Sequence, residues 1–148
     1  MTCEELLDKG LIKRIRVSSS QVRDSLELAK RDIRAARTMM ATDRDWAFSM
    51  AYNAVLQATR ALMYAQGFRP AGSEGQHKSA VLFAETTLGE KFQDDIYIFD
   101  KMRSKRHRVI YDVSGLVSQH EARQAFEFAT KYVKTVEGLL KSFLSKAG

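Results

Sequence analysis

The residues best suited to chemistry lie together in Asp100–Asp112, DKMRSKRHRVIYD. Lys101, Arg103, Lys105, Arg106 and Arg108 crowd around His107 and Tyr111. Read as a helix at about 100° per residue, the stretch places Ile96, Phe99, Met102, Val109 and Ile110 on one broad arc. Arg103 and Arg106 fall inside that arc, whereas Lys101 and Arg108 point away from it. A guanidinium among apolar side chains is costly unless a carboxylate pairs it, a polar cleft or interface receives it, or its stem snorkels past the core. All three readings are open from the pattern alone.

The rest of the chain supplies the elements that must position these groups. Residues 2–14 read as a short helix capped by Thr2 and broken at Gly10. Residues 1–17 are therefore taken as an N-terminal extension and 18–148 as one helical domain. Ser18 and Gln21 have capping-box spacing. Val22, Leu26, Ala29, Ile33, Ala36 and Met40 then recur in steps of four and three, an amphipathic stripe.

Thr42 or Asp43 caps a helix over about 44–66 that is apolar nearly all round, as the buried centre of a bundle would be. Its Tyr52 and Asn53 need hydrogen-bond partners. Gly67 ends it, and Pro70 blocks continuation. The loop GFRPAGSEG has the spacing of no glycine-rich phosphate motif, and no strand precedes it. Ser73 and Gln76 again have capping-box spacing before a helix over about 76–88, with His77 and Lys78 in its first turn.

A fourth long helix is predicted over Asp94–Ile110, followed by a turn over Asp112–Val117. Ser118 and Glu121 cap the last helix, whose stripe is Ala122, Phe126, Ala129, Val133, Val136, Leu140 and Phe143. No run reads as a strand. The predicted fold is all-α: an up-and-down bundle of four long helices plus one or two short ones.

Bulk properties narrow the function classes. A chain of 148 residues with 28% charged residues is enough for one self-sufficient core. No apolar run approaches the roughly 20 residues of a membrane span, so no membrane role is expected. The acidic start MTCEELLDKG does not read as a signal peptide. Cys3, the sole cysteine, excludes an internal disulfide and fits a reducing cytoplasm; it falls in a terminal segment read as mobile, unsuited to catalysis. No Cys, His and carboxylate cluster has metal-ligand spacing, and no cofactor is implied. The formal charge of +6 permits a polyanionic partner without requiring one.

Four stretches, in order, resemble the HEPN domain family (higher eukaryotes and prokaryotes nucleotide-binding), and its small stand-alone bacterial and archaeal members in particular. They are LELAKRDIRAARTMM; DWAFSMAYNAVLQATRALMYAQGF with its central Tyr52; QHKSAVLFAE, opened by His77; and MRSKRHRVIYD. The last is similar to the family's signature of an arginine, a polar residue, three variable residues and a tyrosine or histidine. The resemblance covers about residues 20–140.

The resemblance implies several things. In the family's ribonucleases, the signature arginine and histidine cut RNA without metal. A base takes the ribose 2′-hydroxyl proton and a cation steadies the phosphate. Carried over, the arginine is Arg106, the polar position is His107, and the final position is Tyr111. Tyrosine, with an ordinary pKa near 10, is a poor base at neutral pH. His107, one turn from Arg103, is therefore the candidate replacement imidazole.

Residues 106 and 111 are about 140° apart around one helix, so a site using both is easier to build at a helix end or between two copies. HEPN domains commonly dimerise with these motifs facing each other, and arginines in an apolar stripe suit such an interface. The leading reading is a homodimer that binds RNA or a nucleotide-like ligand through Arg103, Arg106, Tyr52 and His77. The resemblance also implies a toxin–antitoxin pairing with a small nucleotidyltransferase, for which Tyr111 offers a modifiable hydroxyl. Two alternatives stay open. One is an active metal-independent endoribonuclease using Arg106 with His107 or Tyr111. The other is a non-catalytic helical interaction module.

Overall fold

The computed structural model describes residues 1–72, 75–111 and 114–146. Its elements in chain order are α1 (Cys3–Asp8), β1 (Ile12–Arg14), α2 (Ser19–Met39), α3 (Arg44–Ala65), β2 (Phe68–Pro70), α4 (Gln76–Leu88), a 3-10 turn (Glu90–Phe92), α5 (Gln93–Tyr111) and α6 (Gln119–Lys146). The all-α bundle expected from the stripes is present. The helix starts follow the side chains that cap them. Ser18 accepts from the Gln21 N–H, and Asp43 accepts from the Trp46 N–H. Ser118 and Glu121 cap reciprocally: each side chain accepts from the other residue's backbone N–H.

α3 is the central helix and packs against α2, α4, α5 and α6. Ala47, Ala51, Ala54, Ala58 and Ala61 are all fully buried along it, and their small side chains let the neighbours approach closely. The stripes of α2 and α6 close over it through Val22, Leu26, Ala29, Val133 and Val136. One polar link lies within this core. Thr59 Oγ1 donates to the Val55 carbonyl, so the Tyr132 hydroxyl, 2.7 Å away, donates to Thr59. Burial pushes the Tyr132 phenol up to about 12, which keeps its proton in place.

Three expectations need correction. First, the chain does contain strand: β1 and β2 form a two-stranded antiparallel ladder pairing Ile12 with Pro70, Lys13 with Arg69 and Arg14 with Phe68. Three residues are too few to show alternation, and Pro70 is tolerated because it lies at a strand end. Second, Cys3 is not in a loose segment. It sits on α1, whose Leu6 is fully buried in the same core as Ile12 and Val22. Burial, chiefly, raises the Cys3 thiol above its ordinary value, the opposite of an activated nucleophile. Third, α4 begins without a side-chain cap. Gly75 occupies the cap position at φ 73°, in the left-handed region that favours glycine. Ser73, expected to cap this helix, lies outside the described residues. Gln76 instead donates its side-chain amide to the Gly72 carbonyl.

The connection from α5 to α6 is fixed by Asp45 at the start of α3. Its carboxylate accepts from the Gly115 N–H at 2.7 Å and the Val117 N–H at 3.3 Å. α5 and α6 are thereby tied to the central helix at the end where the basic stretch finishes. The antiparallel pair α4 and α5 flanks one side of α3, and the candidate site forms where these three helices meet.

Candidate functional site

Tyr52, on the central helix α3, has no solvent exposure, and its hydroxyl lies 2.8 Å from His77 Nδ1 on α4. The two rings stack, with centroids 5.6 Å apart and planes 15° from parallel. From α5, the Arg106 guanidinium sits over the Tyr52 ring, 5.5 Å from its centroid. This cation–π contact exploits the negative ring face. It leaves Arg106 Nε buried with no hydrogen-bond partner among the described residues. A buried donor of this kind is costly in a finished structure.

One turn before Arg106, Arg103 Nε donates to Asp100 Oδ1 at 2.9 Å. Lys78 Nζ reaches the same carboxylate at 3.3 and 3.4 Å. Arg60, from α3, donates to the Gln76 side-chain carbonyl at 3.1 Å. Four cations therefore surround the Tyr52–His77 pair, and Asp100 is the carboxylate that pairs with two of them. Burial tends to raise the Asp100 carboxyl. The hydrogen bonds from Arg103 and Lys78 outweigh it and hold the group below its ordinary range.

The titration of His77 reflects this surplus of positive charge. Burial, then Arg106, Arg60 and Arg103, push its pKa down to about 4, so the imidazole is neutral at pH 7. Burial raises Tyr52 above its ordinary value despite the opposing arginines, so the phenol keeps its proton. Two neutral tautomers satisfy the pair. In one, the Tyr52 O–H donates to Nδ1. In the other, Nδ1–H donates to the phenol oxygen and leaves a lone pair on Nε2.

The structure brings together Tyr52, His77, Arg103 and Arg106. It does not join His107 and Tyr111 to them. Both lie on the exposed side of α5 and pack on each other, ring centroids 5.0 Å apart. The imidazole that keeps company with Arg106 is His77, from another helix. Sequence reading overlooked Asp100, Lys78, Arg60 and Gln76 as site residues. Signals pointed to two of them: the Asp100–Arg103 spacing of three on one helix, and Arg60 standing as a cation in the mostly apolar helix α3. Among the described residues, no group of three or more His, Cys, Asp or Glu is placed to hold a metal ion.

A helical bundle whose central tyrosine, a histidine and paired arginines converge from three helices defines a small all-α protein with a cationic, aromatic-floored site. The HEPN domain matches residues 22–139, and the chain belongs to the HEPN domain family. Among solved structures, it is similar to the crystal structure of TT1696 from Thermus thermophilus. That similarity has a TM-score of 0.61 and 23% identity and covers 80% of this chain and 97% of that one, a likeness of fold. Among curated proteins, none matches the chain.

Proposed function

We propose that this HEPN-family protein binds RNA or a nucleotide-like ligand through a phosphate group held at Arg103 and Arg106, beside Tyr52 and His77. The observation that carries this reading is the surplus of positive charge: Arg60, Arg103 and Arg106 act together on His77, and Arg103 shares the Asp100 carboxylate with Lys78. A guanidinium is built to meet phosphate oxygens through parallel N–H donors, and a phosphate here would also offset the charge of Arg60 and Lys78. The test is fluorescence anisotropy with a labelled single-stranded RNA. Wild type should bind with an affinity that falls steeply with salt, and Arg106→Ala should bind at least about tenfold more weakly. Equal affinity in the two proteins would overturn the reading.

A second reading, metal-independent ribonuclease, draws support from the neutral imidazole of His77 next to Arg106. The resemblance to the family's nucleases motivates it, and His77 is the better-placed base. It is tested by cleavage in EDTA.

We further propose that the protein is a homodimer. The end of α5 leaves Ile110 and Tyr111 exposed, and a second copy packed there would cover apolar surface at the signature motif. Light scattering in solution tests it. A nucleotidyltransferase partner acting at Tyr111, in a cytoplasmic toxin–antitoxin pair, follows from the family resemblance and from the exposure of that hydroxyl; co-purification from the native cell tests it. Among the described residues, no helix is long and apolar enough to cross a membrane.

A further inference from the structure

A cleft of about 500 Å³ runs between α4 and α5, from the Lys78–Asp100 ion pair to the turn at Gly89. Its size falls within the range of about 300–1,000 Å³ usual for small-molecule sites. It is continuous with the arginine cluster, because Asp100 both lines the cleft and holds Arg103.

The two ends of the cleft differ in chemistry. Val81 and Ile96 make an apolar floor, and Tyr97, 63% exposed, offers an aromatic ring at the side, with the Lys101 ammonium over it 5.4 Å from the centroid. Away from the arginines the polar groups are the carboxylates of Glu85 and Glu90 and the amide of Gln93. Lys78, at the arginine end, is the one cation among the described lining residues. A phosphate is therefore repelled from the turn end and attracted to the other. The groups near the turn accept hydrogen bonds, with one amide able to donate.

We infer that this cleft is a nucleobase subsite selective for guanine, and that it orients a nucleotide whose phosphate lies on Arg103 and Arg106. The inference rests on the phosphate-binding reading above. Aromatic stacking, here on Tyr97, is how proteins hold unpaired bases. Carboxylates select bases that present N–H donors. Guanine presents two adjacent donors, N1–H and the 2-amino group, beside an O6 acceptor that the Gln93 amide can meet. Adenine and cytosine each set a ring acceptor next to their amino group, where a carboxylate repels it. Uracil has a single ring N–H flanked by two carbonyls.

The experiment is calorimetric titration of guanosine 5′-monophosphate and uridine 5′-monophosphate into wild type, Glu85→Gln/Glu90→Gln and Arg106→Ala. Both glutamates are exposed, so the double variant is expected to fold, and circular dichroism checks this. Wild type should prefer the guanine nucleotide by about tenfold or more, the discrimination that a good two-point base contact supplies. In the double variant, guanine affinity should drop to the level of uridine. Equal affinities in wild type, both lowered in Arg106→Ala, would overturn the guanine subsite and leave the phosphate site standing. A guanine preference that survives the double substitution would also overturn it. If neither nucleotide bound wild type at millimolar concentration, the subsite and the phosphate reading would fall together.

Discussion

The Tyr52 hydroxyl and His77 Nδ1 lie 2.8 Å apart, joining the buried central helix to the first turn of α4. Gly75 has no side chain to offer that turn as a cap. The Tyr52 contact therefore sets where the imidazole points. Tyr52→Phe should cost about 1 kcal/mol of stability by removing a partner from a half-buried nitrogen. Urea unfolding of Tyr52→Phe, His77→Ala and the double variant checks this. The two single losses should sum to more than the double loss, as expected of groups that act as a pair. Additive losses would mean that the contact contributes nothing.

His77 should also leave a mark on the pH dependence of stability. Its folded pKa of about 4 lies below the ordinary 6.5 of a free imidazole. Between those values the unfolded chain binds the proton and the folded chain does not. Stability is therefore fully present above about pH 6.5 and declines as pH falls towards 4. The effect should be on the order of 1 kcal/mol, because the group is only half buried and solvent screens it. Comparing wild type with His77→Gln by chemical denaturation across this window tests the assignment. A wild-type profile that matches the variant's would remove His77 as its source. The same imidazole reports on ligand. An anion offsetting Arg106, Arg60 and Arg103 should raise the His77 pKa, read by NMR titration with and without nucleotide.

Arg106 should separate stability from binding. Its Nε has no partner among the described residues, whereas the Arg103 guanidinium is already engaged by Asp100. Replacing Arg106 with methionine keeps an unbranched chain over Tyr52 and removes a buried, unpaired donor. Stability should hold or rise by about 1 kcal/mol, as seen when buried charges give way to apolar residues of similar volume. RNA affinity should fall, and the slope of log K against log salt should shrink by about 0.7, the loss of one phosphate contact on a single strand. A destabilised variant with unchanged affinity would make Arg106 a purely structural residue.

Much of this was legible in the sequence because it rests on periodicity. The four-three stripes of α2 and α6, the caps at Ser18, Asp43 and Ser118, and the all-round apolar α3 follow from local rules. The two arginines inside the apolar arc of α5 already marked it as unusual, and Tyr52, His77, Arg103 and Arg106 do meet in space. What stayed hidden depends on tertiary contact. The α5 pattern shows His107 next to Arg106 in sequence, yet successive residues on a helix point about 100° apart, and the imidazole near Arg106 comes from α4. β1 and β2 pair residues 12–14 with 68–70 through backbone groups that carry no side-chain signature. The burial of Leu6 likewise depends on where α1 docks, which six residues cannot specify alone.

The two histidines allow the nuclease reading to be tested at the level of a single ring. His107 lies on the exposed side of α5 and packs on Tyr111, whereas His77 sits among the arginines in a neutral state. A base for the 2′-hydroxyl must hold a free lone pair near the cation that steadies the phosphate. Within one chain, His77 meets that demand: Nε2 is free when Nδ1–H donates to Tyr52. Incubating total RNA with purified protein in EDTA should therefore give fragments with 2′,3′-cyclic phosphate ends for wild type and for His107→Ala. His77→Ala and Arg106→Ala should cut at least about a hundredfold more slowly, the usual contribution of a positioned base. The opposite pattern, with His107 essential and His77 dispensable, would move the chemistry to the exposed side of α5. A His107-dependent reaction that draws its cation from the facing copy would require the dimer. Its rate per protomer would then fall on dilution below the dimer's dissociation constant. A reaction based on His77 would keep its specific activity at every protein concentration, so one dilution series separates the two.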